Sequence, residues 1–379
     1  MKNRAGETHM VPNMGYKAYY PKPLPKPEEL YLDSNTNKLL NEVYFLLGKL
    51  DGYASSLPNI ELFISTYVRK EALLSSQIEG TQVSLIDILD PNSKGSENLD
   101  VLDVVNYTKA LSYGIERLKG YPLTGNFLKE IHKILILNTR GYDNQPGEFR
   151  HSQNWVGPAG CSLNTASYVP PTVEVMKECI SDLERYINEE DMNPILKASL
   201  VHYQFETIHP FLDGNGRIGR MLIILILINE GVIKYPLLYI SYYLKKHRVE
   251  YYDRLEDLRL TADYEKWIIF MLKAMKNSCM DALENIENIK KLKAKFDNDV
   301  KDLSNNIKRL YEYIWINPII DTSKTSKDLN LSYNTISSAI KKLESLNILV
   351  KSSGDKRNKI YHFKSYLDIL KKDTEVIDN

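Results

Sequence analysis

The chain has 379 residues, 43% of them apolar and 26% charged, with 49 Lys+Arg against 49 Asp+Glu. That length allows two or three domains with their own cores, and the composition is that of an ordinary globular protein. Zero net charge excludes a global pull toward nucleic acid or membrane, and the scattered Cys161, Cys179 and Cys279 exclude a disulfide framework or a cysteine metal site.

No signal-like apolar core opens the chain, and its longest apolar run, Met221–Ile228, is far short of the roughly 20 residues of a membrane span. A cytoplasmic protein with no membrane partner is expected. Residues 1–30 are polar and carry Pro12, Pro21, Pro23, Pro25 and Pro27, which predicts an extended arm. Residues 31–100 read as a helical region. Leu39, Leu40, Val43, Leu46 and Leu47 recur at helical spacing, and a second amphipathic stretch from Leu57 to Ile78 stops at Gly80. A loop is expected over 91–100. Residues 101–275 read as a helical core, with helices over Leu102–Leu118, Phe127–Leu137, Thr172–Asn188, Pro194–Ile208, Asn215–Asn229 and Ser241–Leu260. Between 140 and 171, Gly and Pro punctuate short segments in the manner of a hairpin.

A lysine-rich connecting helix is expected over 276–304. Residues 305–379 then change grammar: helices at Ile307–Ile316, Ser323–Asp328 and Asn334–Leu346 are followed by two short strands around a Gly354-Asp turn. That order predicts a winged helix-turn-helix. Tyr333, Asn334, Ser337, Ser338, Lys341 and Lys342 on its third helix, and Lys351, Lys356, Arg357 and Lys359 on its wing, are candidate contacts. The net charge of +4 over 321–370 is modest, so duplex DNA and a protein partner are both open.

The segment His209-Pro-Phe-Leu-Asp213-Gly-Asn-Gly-Arg217-Ile-Gly-Arg220 concentrates the chemistry. His209, held out of helical geometry by Pro210, suits a general base. Asp213 offers a hard oxygen to Mg²⁺. Gly214-Asn215-Gly216 permits close backbone approach at a helix start, whose free amides face an anion. Arg217 and Arg220, three apart, are expected to reach one polyphosphate. Upstream, Ser76-x-x-Glu79 has capping-box spacing, but Glu79 stands at a helix C-terminus. A carboxylate there opposes the dipole by about 0.3–1 kcal/mol unless a cation answers it.

These twelve residues are similar, without a departure, to the motif HPFx[DE]GNGRxxR of the Fic family. The resemblance implies a mainly α fold: a helical core with a small β-hairpin flap, here with a C-terminal winged helix. It implies transfer of AMP from ATP, with Mg²⁺, to a Ser, Thr or Tyr hydroxyl of a protein. His209 is then the base and Asp213 the metal ligand, and Gly214, Asn215, Gly216, Arg217, Ile218, Gly219 and Arg220 hold the nucleotide. The related phosphotransferase branch carries a lysine where this chain has Gly216-Arg217, so Arg217 favours AMP transfer. Ser75-x-x-x-Glu79-Gly80 resembles the [ST]xxxE[GN] helix of the class II members, which implies that Glu79 pairs with Arg220 and blocks the γ-phosphate. Gln82 and the pair Tyr251-Tyr252 are further candidates for nucleotide contact. Asn154, Trp155 and Val156 are candidates for a flap that docks the target by strand addition. The expected partners are a target protein of unread identity, the chain itself as a substrate, a second copy in a homodimer, and DNA through the winged helix. Two alternatives stay open: a nucleotide-responsive transcriptional regulator, and removal of AMP by the same site.

Overall fold

Proline and glycine set most element boundaries in the computed structural model, which describes residues 3–55, 60–90, 98–140, 145–158, 160–352 and 359–375. The N-terminal segment is folded, not a free extended arm. Strands β1 (Gly6–Met10) and β2 (Lys17–Pro21) pair antiparallel, from Gly6 opposite Pro21 to Met10 opposite Lys17. The prolines bracket the strands instead of interrupting them. Pro12 lies in the connecting turn, where Asn13 and Gly15 take positive φ, and Pro21 ends β2. Three backbone groups tie this hairpin to the body: Tyr19 N–H donates to the Val169 carbonyl at 2.9 Å, and the Lys22 and Pro25 carbonyls accept from Gln204 Nε2 at 2.9 Å and Tyr186 OH at 3.0 Å.

Helices α1 (Ser34–Ser55), α2 (Ile60–Ile78), α3 (Leu85–Leu89), α4 (Leu99–Leu118) and α5 (Gly125–Leu135) follow. The loop expected over 91–100 lies mostly outside the described residues, since 91–97 are not described and α4 already begins at Leu99. Gly80, at φ +96°, ends α2 in a Schellman turn: its N–H donates to the Gln77 carbonyl, and Thr81 N–H donates to that of Ser76. The hairpin expected between 140 and 171 reduces to one antiparallel bridge, Val156 with Tyr168; Gly141 falls outside the described residues.

Next come α6 (Val173–Glu189), α7 (Pro194–Ile208) and α8 (Asn215–Asn229). Pro194 at the first position and the Asn193 side chain, which accepts from Ile195 and Leu196 N–H, start α7. Every residue of α7 after Pro194 is buried, and α8 carries the apolar run Met221–Leu227, at 1% exposure or less. These two helices pack together at the centre, with α2, α4 and α5 against α8 and α6 against α7. None of the described helices is long and apolar enough to cross a membrane.

The helix expected over Ser241–Leu260 is two, α9 (Ser241–Lys246) and α10 (Arg248–Thr261), broken where His247 takes φ −115°, ψ 38°. The expected connecting helix is only the second half of α11 (Tyr264–Val300), which runs 37 residues without Gly or Pro. Its first half is apolar and its second lysine-rich, so the change of composition conceals an unbroken helical period. α11 packs along α1, and Tyr67 of α2 donates to its Ala282 carbonyl at 3.1 Å.

The C-terminal unit comprises α12 (Asn305–Ile316), β3 (Ile319–Asp321), α13 (Thr322–Asp328), α14 (Tyr333–Ser345), β4 (Val350–Lys351), β5 (Ile360–His362) and α15 (Lys364–Lys371). The expected two-stranded wing has a third strand, in the order β3-β5-β4, and α15 is additional. The Gly354-Asp turn with Lys356 and Arg357 lies outside the described residues. Trp315 is 1% exposed, with the Phe363 and Tyr366 rings edge-on at 4.8 and 5.0 Å. Trp315→Ala is therefore expected to cost about 3–5 kcal/mol, and calorimetry should show the loss.

Candidate active site

The loop between α7 and α8 is fixed through its own backbone. His209 ends α7 in the left-handed region, at φ 49°, ψ 60°. Its carbonyl accepts from Arg150 Nε at 3.0 Å and Asn154 Nδ2 at 3.2 Å, and the Pro210 carbonyl accepts from Arg150 N–H at 2.9 Å. Phe211 is fully buried and stacks on His132 at 3.8 Å, as its anchoring role requires. Asn215, 2% exposed, closes the loop, because its side chain accepts from Phe211 N–H at 2.9 Å and donates to the Phe211 carbonyl at 2.8 Å. Expected as a nucleotide ligand, the Asn215 side chain is spent as a brace.

The same inward turn accounts for Asn154. It was expected on a target-docking flap, yet it is buried and also donates to the Phe211 carbonyl at 2.8 Å. Its neighbours Trp155 and Val156 are exposed, at 42% and 37%. Arg150 is fully buried without a carboxylate and gives its hydrogen bonds to carbonyls of His209, Ser152 and Pro171. Burial pushes its guanidinium down to about 10.

His209 Nδ1 lies 3.3 Å from the Glu206 carbonyl, an acceptor, so Nδ1 carries the proton and Nε2 the free lone pair. Burial above all, with Arg259 and Arg150, pushes the imidazole down to about 4, against the raising effect of the Glu206 carbonyl and Glu79. His209 is thus a neutral base at physiological pH.

Gly214, at φ 78°, caps α8, and its N–H donates to Asp213 Oδ1 at 2.7 Å. The first-turn amides of Asn215, Gly216 and Arg217 have no intrahelical acceptors and form an anion seat. Glu79 fills it. A methyl group placed on Gly216 would lie 2.1 Å from Glu79 Oε1 and 2.9 Å from Arg220 Nη1, so only glycine allows the approach. Glu79 Oε1 accepts from Arg220 Nη2 at 2.6 Å, while Arg220 Nε donates to Ser75 Oγ and Nη2 to the Ser75 carbonyl, both at 2.9 Å. Burial alone would raise the Glu79 carboxyl, but Arg220, aided by Arg217 and His209, holds it below the usual carboxylate range. Burial would likewise lower the Arg220 guanidinium, and Glu79 raises it instead.

The two arginines do not converge. Arg217 donates to Asp103 of α4 at 2.7 Å and lies 3.6 Å from Asp213, whereas Arg220 turns to α2. The cavity beside them, about 870 Å³, is lined by Glu79, His209, Gly216, Arg220, Tyr251 and Tyr252, and also by Glu206, Arg248, Trp155 and Val156. β1 and β2 close its far wall through Glu7, Thr8 and Lys17. Arg217 does not line it. Neither does Gln82, which is exposed and donates through its N–H to Asp100 and through its amide to Gly80. Ile218 is fully buried with its N–H spent on Gly214. Gly219 serves packing, since a methyl group there would lie 2.4 Å from Glu206 Oε1.

Sequence reading missed Asp103, His132, Arg150 and Glu206. Glu206 stands one turn before His209, buried with Oε1 unpartnered, and burial pushes its carboxyl up to about 7. A charged residue inside an apolar helix was the available signal. Asp213, with a side chain 40% accessible, is the exposed carboxylate of the loop. Among the described residues no cluster of three metal-ligating side chains exists. One exposed carboxylate does suit Mg²⁺, which commonly takes one or two carboxylates and completes its shell with phosphate oxygens and water.

NMR titration of the His209 ring is expected to show a neutral imidazole protonated on Nδ1 from pH 8 down to pH ~5.5, as its value of about 4 requires. A midpoint near the ordinary ~6.5 would contradict the geometry.

Comparison with known proteins agrees with these residues. Residues 122–227 match the Fic/DOC family and residues 37–116 its N-terminal region. A protein adenylyltransferase Fic of Culex quinquefasciatus is 34% identical over 132 residues, 34% of this chain and 23% of that protein. A probable protein adenylyltransferase of Aquifex aeolicus is 28% identical over 179 residues, 46% and 52% of the two chains. The chain thus matches about a quarter to a half of the length of these relatives. A Fic family protein from Desulfovibrio desulfuricans superposes with TM-score 0.56 at 17% identity, over 89% of this chain and 98% of that one, a likeness of fold. The braced loop and the anion seat fall in the segment that matches the Fic/DOC family, 122–227, and Glu79 and Asp103 fall in the segment that matches its N-terminal region, 37–116.

Proposed function

We propose that the chain transfers AMP from ATP to a hydroxyl of a protein, itself included, and that Glu79 holds this activity down. The observation that carries the reading is the Glu79 carboxylate on Arg220, pressed against Gly216 at the head of α8. A buried guanidinium beside free helix amides makes a seat for phosphate, and an internal carboxylate takes up its guanidinium. The names of the curated relatives support the same chemistry.

In this reading the Asn215–Arg217 amides hold the α- and β-phosphates, and Arg220 takes the outermost phosphate once Glu79 leaves. His209 Nε2 accepts the proton of the target hydroxyl as its oxygen bonds to the α-phosphorus. The bond from that phosphorus to the bridging oxygen breaks, and diphosphate departs with the electron pair. Mg²⁺, held by Asp213 and phosphate oxygens, would supply charge neutralisation there. Tyr251 and Tyr252 offer rings to the nucleoside; Tyr251 is fixed by its hydroxyl, 2.9 Å from His202 Nε2. Trp155 and Val156 supply the exposed edge for a target strand. We read residues 305–363 as a winged helix whose α14 exposes Tyr333, Asn334, Ser338, Lys341 and Lys342.

Incubation with labelled ATP and Mg²⁺ tests the reading. Glu79→Gly is expected to raise self-labelling at least about ten-fold, the equivalent of 1.4 kcal/mol in favour of the open seat. Adding His209→Ala should lower it by about 10²–10⁴-fold. Mass spectrometry should find AMP, not phosphate, on a hydroxyl residue. No gain from Glu79→Gly with ATP binding intact would refute the restraint.

A further inference from the structure

The turn that presents Glu79 is held from two sides. Ser75 and Glu79 face Arg220, whereas Gln77, between them in sequence, points the other way and is spent entirely on partners outside α2. Gln77 is 8% exposed; its Nε2 donates to the Val83 carbonyl and to the Thr374 carbonyl, both at 3.0 Å. Its Oε1 accepts from Lys245 Nζ of α9 at 2.8 Å, and the same ammonium donates to the Glu375 carbonyl. Thr374 is itself 3% exposed, its N–H and Oγ1 both donating to the Lys371 carbonyl at the end of α15. Lys372 reaches α11, with Nζ 3.4 Å from Asp281 and 3.3 Å from Glu284.

We propose that residues 372–375 form a strap that pins the inhibitory turn through Gln77 and Lys245, so that displacing the C-terminal unit loosens Glu79 from Arg220. Lys245 is the crossing point. It is 6% exposed, and its hydrogen bonds go to two oxygens, one from the inhibitory helix and one from the strap, whose Asp373 and Glu375 carboxylates also favour its charge. Were the strap to lift, Lys245 and Gln77 would each lose a partner at once. Burial alone makes those losses unfavourable, so water must enter and the turn must shift to rehydrate them. Val83, whose carbonyl shares Gln77 Nε2 with Thr374, follows the Gly80 turn directly, so the shift is delivered where Glu79 is held. Tyr366 of α15 adds a second tie to α2, its hydroxyl 3.1 Å from Thr66 Oγ1. The C-terminal unit therefore ties to the inhibitory helix at two places, Thr66 and Gln77, and a partner that draws that unit away would raise activity without entering the cavity.

The regulatory consequence rests on the AMP-transfer reading, while the strap itself can be measured without it. In the full chain, Gln77→Leu and Lys245→Met each keep side-chain volume but remove the crossing bonds. Hydrogen exchange at the Gly80 and Thr81 amides is expected to quicken at least about ten-fold in both variants, the worth of one hydrogen bond to a charged group. Unchanged exchange in both overturns the strap whatever the reaction is. Self-AMPylation is expected to rise by a similar factor in each variant and to be unaltered when Glu79→Gly is already present. An equal rise in both backgrounds, or quickened exchange with no rise while Glu79→Gly is active, overturns the link to Glu79. If Glu79→Gly itself transfers nothing, the reaction reading fails alone and the exchange result decides the strap.

Discussion

A guanidinium buried to 1% of its side-chain surface must have its charge answered by other groups, and the arrangement around Arg220 follows from that need. Ser75 fixes the planar group with two oxygens and Glu79 supplies the charge. Glu79 in turn stands at a helix C-terminus, where the backbone dipole repels a carboxylate. Neither group is at ease alone, and each removes the other's penalty. The pair is also half accessible on one side only, because the Glu79 side chain keeps 37% of its surface toward the cavity. Arg220 is therefore the enclosed partner and Glu79 the one open to the cavity.

The loop beside it shows the opposite design. Arg150, Asn154 and Asn215 occupy its carbonyls and the Phe211 N–H, and Phe211 lies flat on His132. His209 is held in a left-handed conformation that a free chain would leave. Its base is unprotonated before any substrate arrives. Chemistry that depends on placement benefits from such rigidity, since a misplaced base loses rate steeply. Control then cannot come from moving the base, which leaves occupancy of the anion seat as the adjustable quantity.

Much of this was legible where one residue type has one physical use. Pro194 and Gly214 mark the starts of α7 and α8, whose bounds agree with the periodicity to the residue. Gly80 marks the end of α2. The pairing of Glu79 with Arg220 was legible only through a family motif, because no local rule links positions 141 apart. Side-chain direction was the information the sequence lacked. Asn154 and Asn215 are polar in either reading, and only the fold decides that they face the loop backbone. Arg217 and Arg220, three apart on one helix, diverge because acids from two different helices draw them apart. The N-terminal segment misled for another reason. Its prolines are many, but residues 1–11 and the eight positions 13–20 between Pro12 and Pro21 contain none, enough for one short ladder.

Both arginines of α8 are answered from the family's N-terminal region: Arg220 by Glu79 just beyond α2, and Arg217 by Asp103 of α4. That region therefore supplies the ion-pair carboxylate to each of these arginines. In the assembled chain the two guanidiniums keep 6% and 1% of their side-chain exposure, and among the described residues the only ion pair either makes from within the Fic segment is Arg217 with Asp213. Stripping one partner from a buried ion pair costs about 3–5 kcal/mol, a cost that bears in full on the enclosed Arg217–Asp103 pair and less on Glu79, whose side chain is 37% accessible. The two are unequal in this respect. Asp103 is enclosed, with 13% of its side chain accessible and burial raising its carboxyl despite Arg217. Glu79 faces a cavity of nucleotide size. Release is confined to the one pair that opens onto solvent, and Arg217–Asp103 keeps α4 on α8 while Glu79 moves.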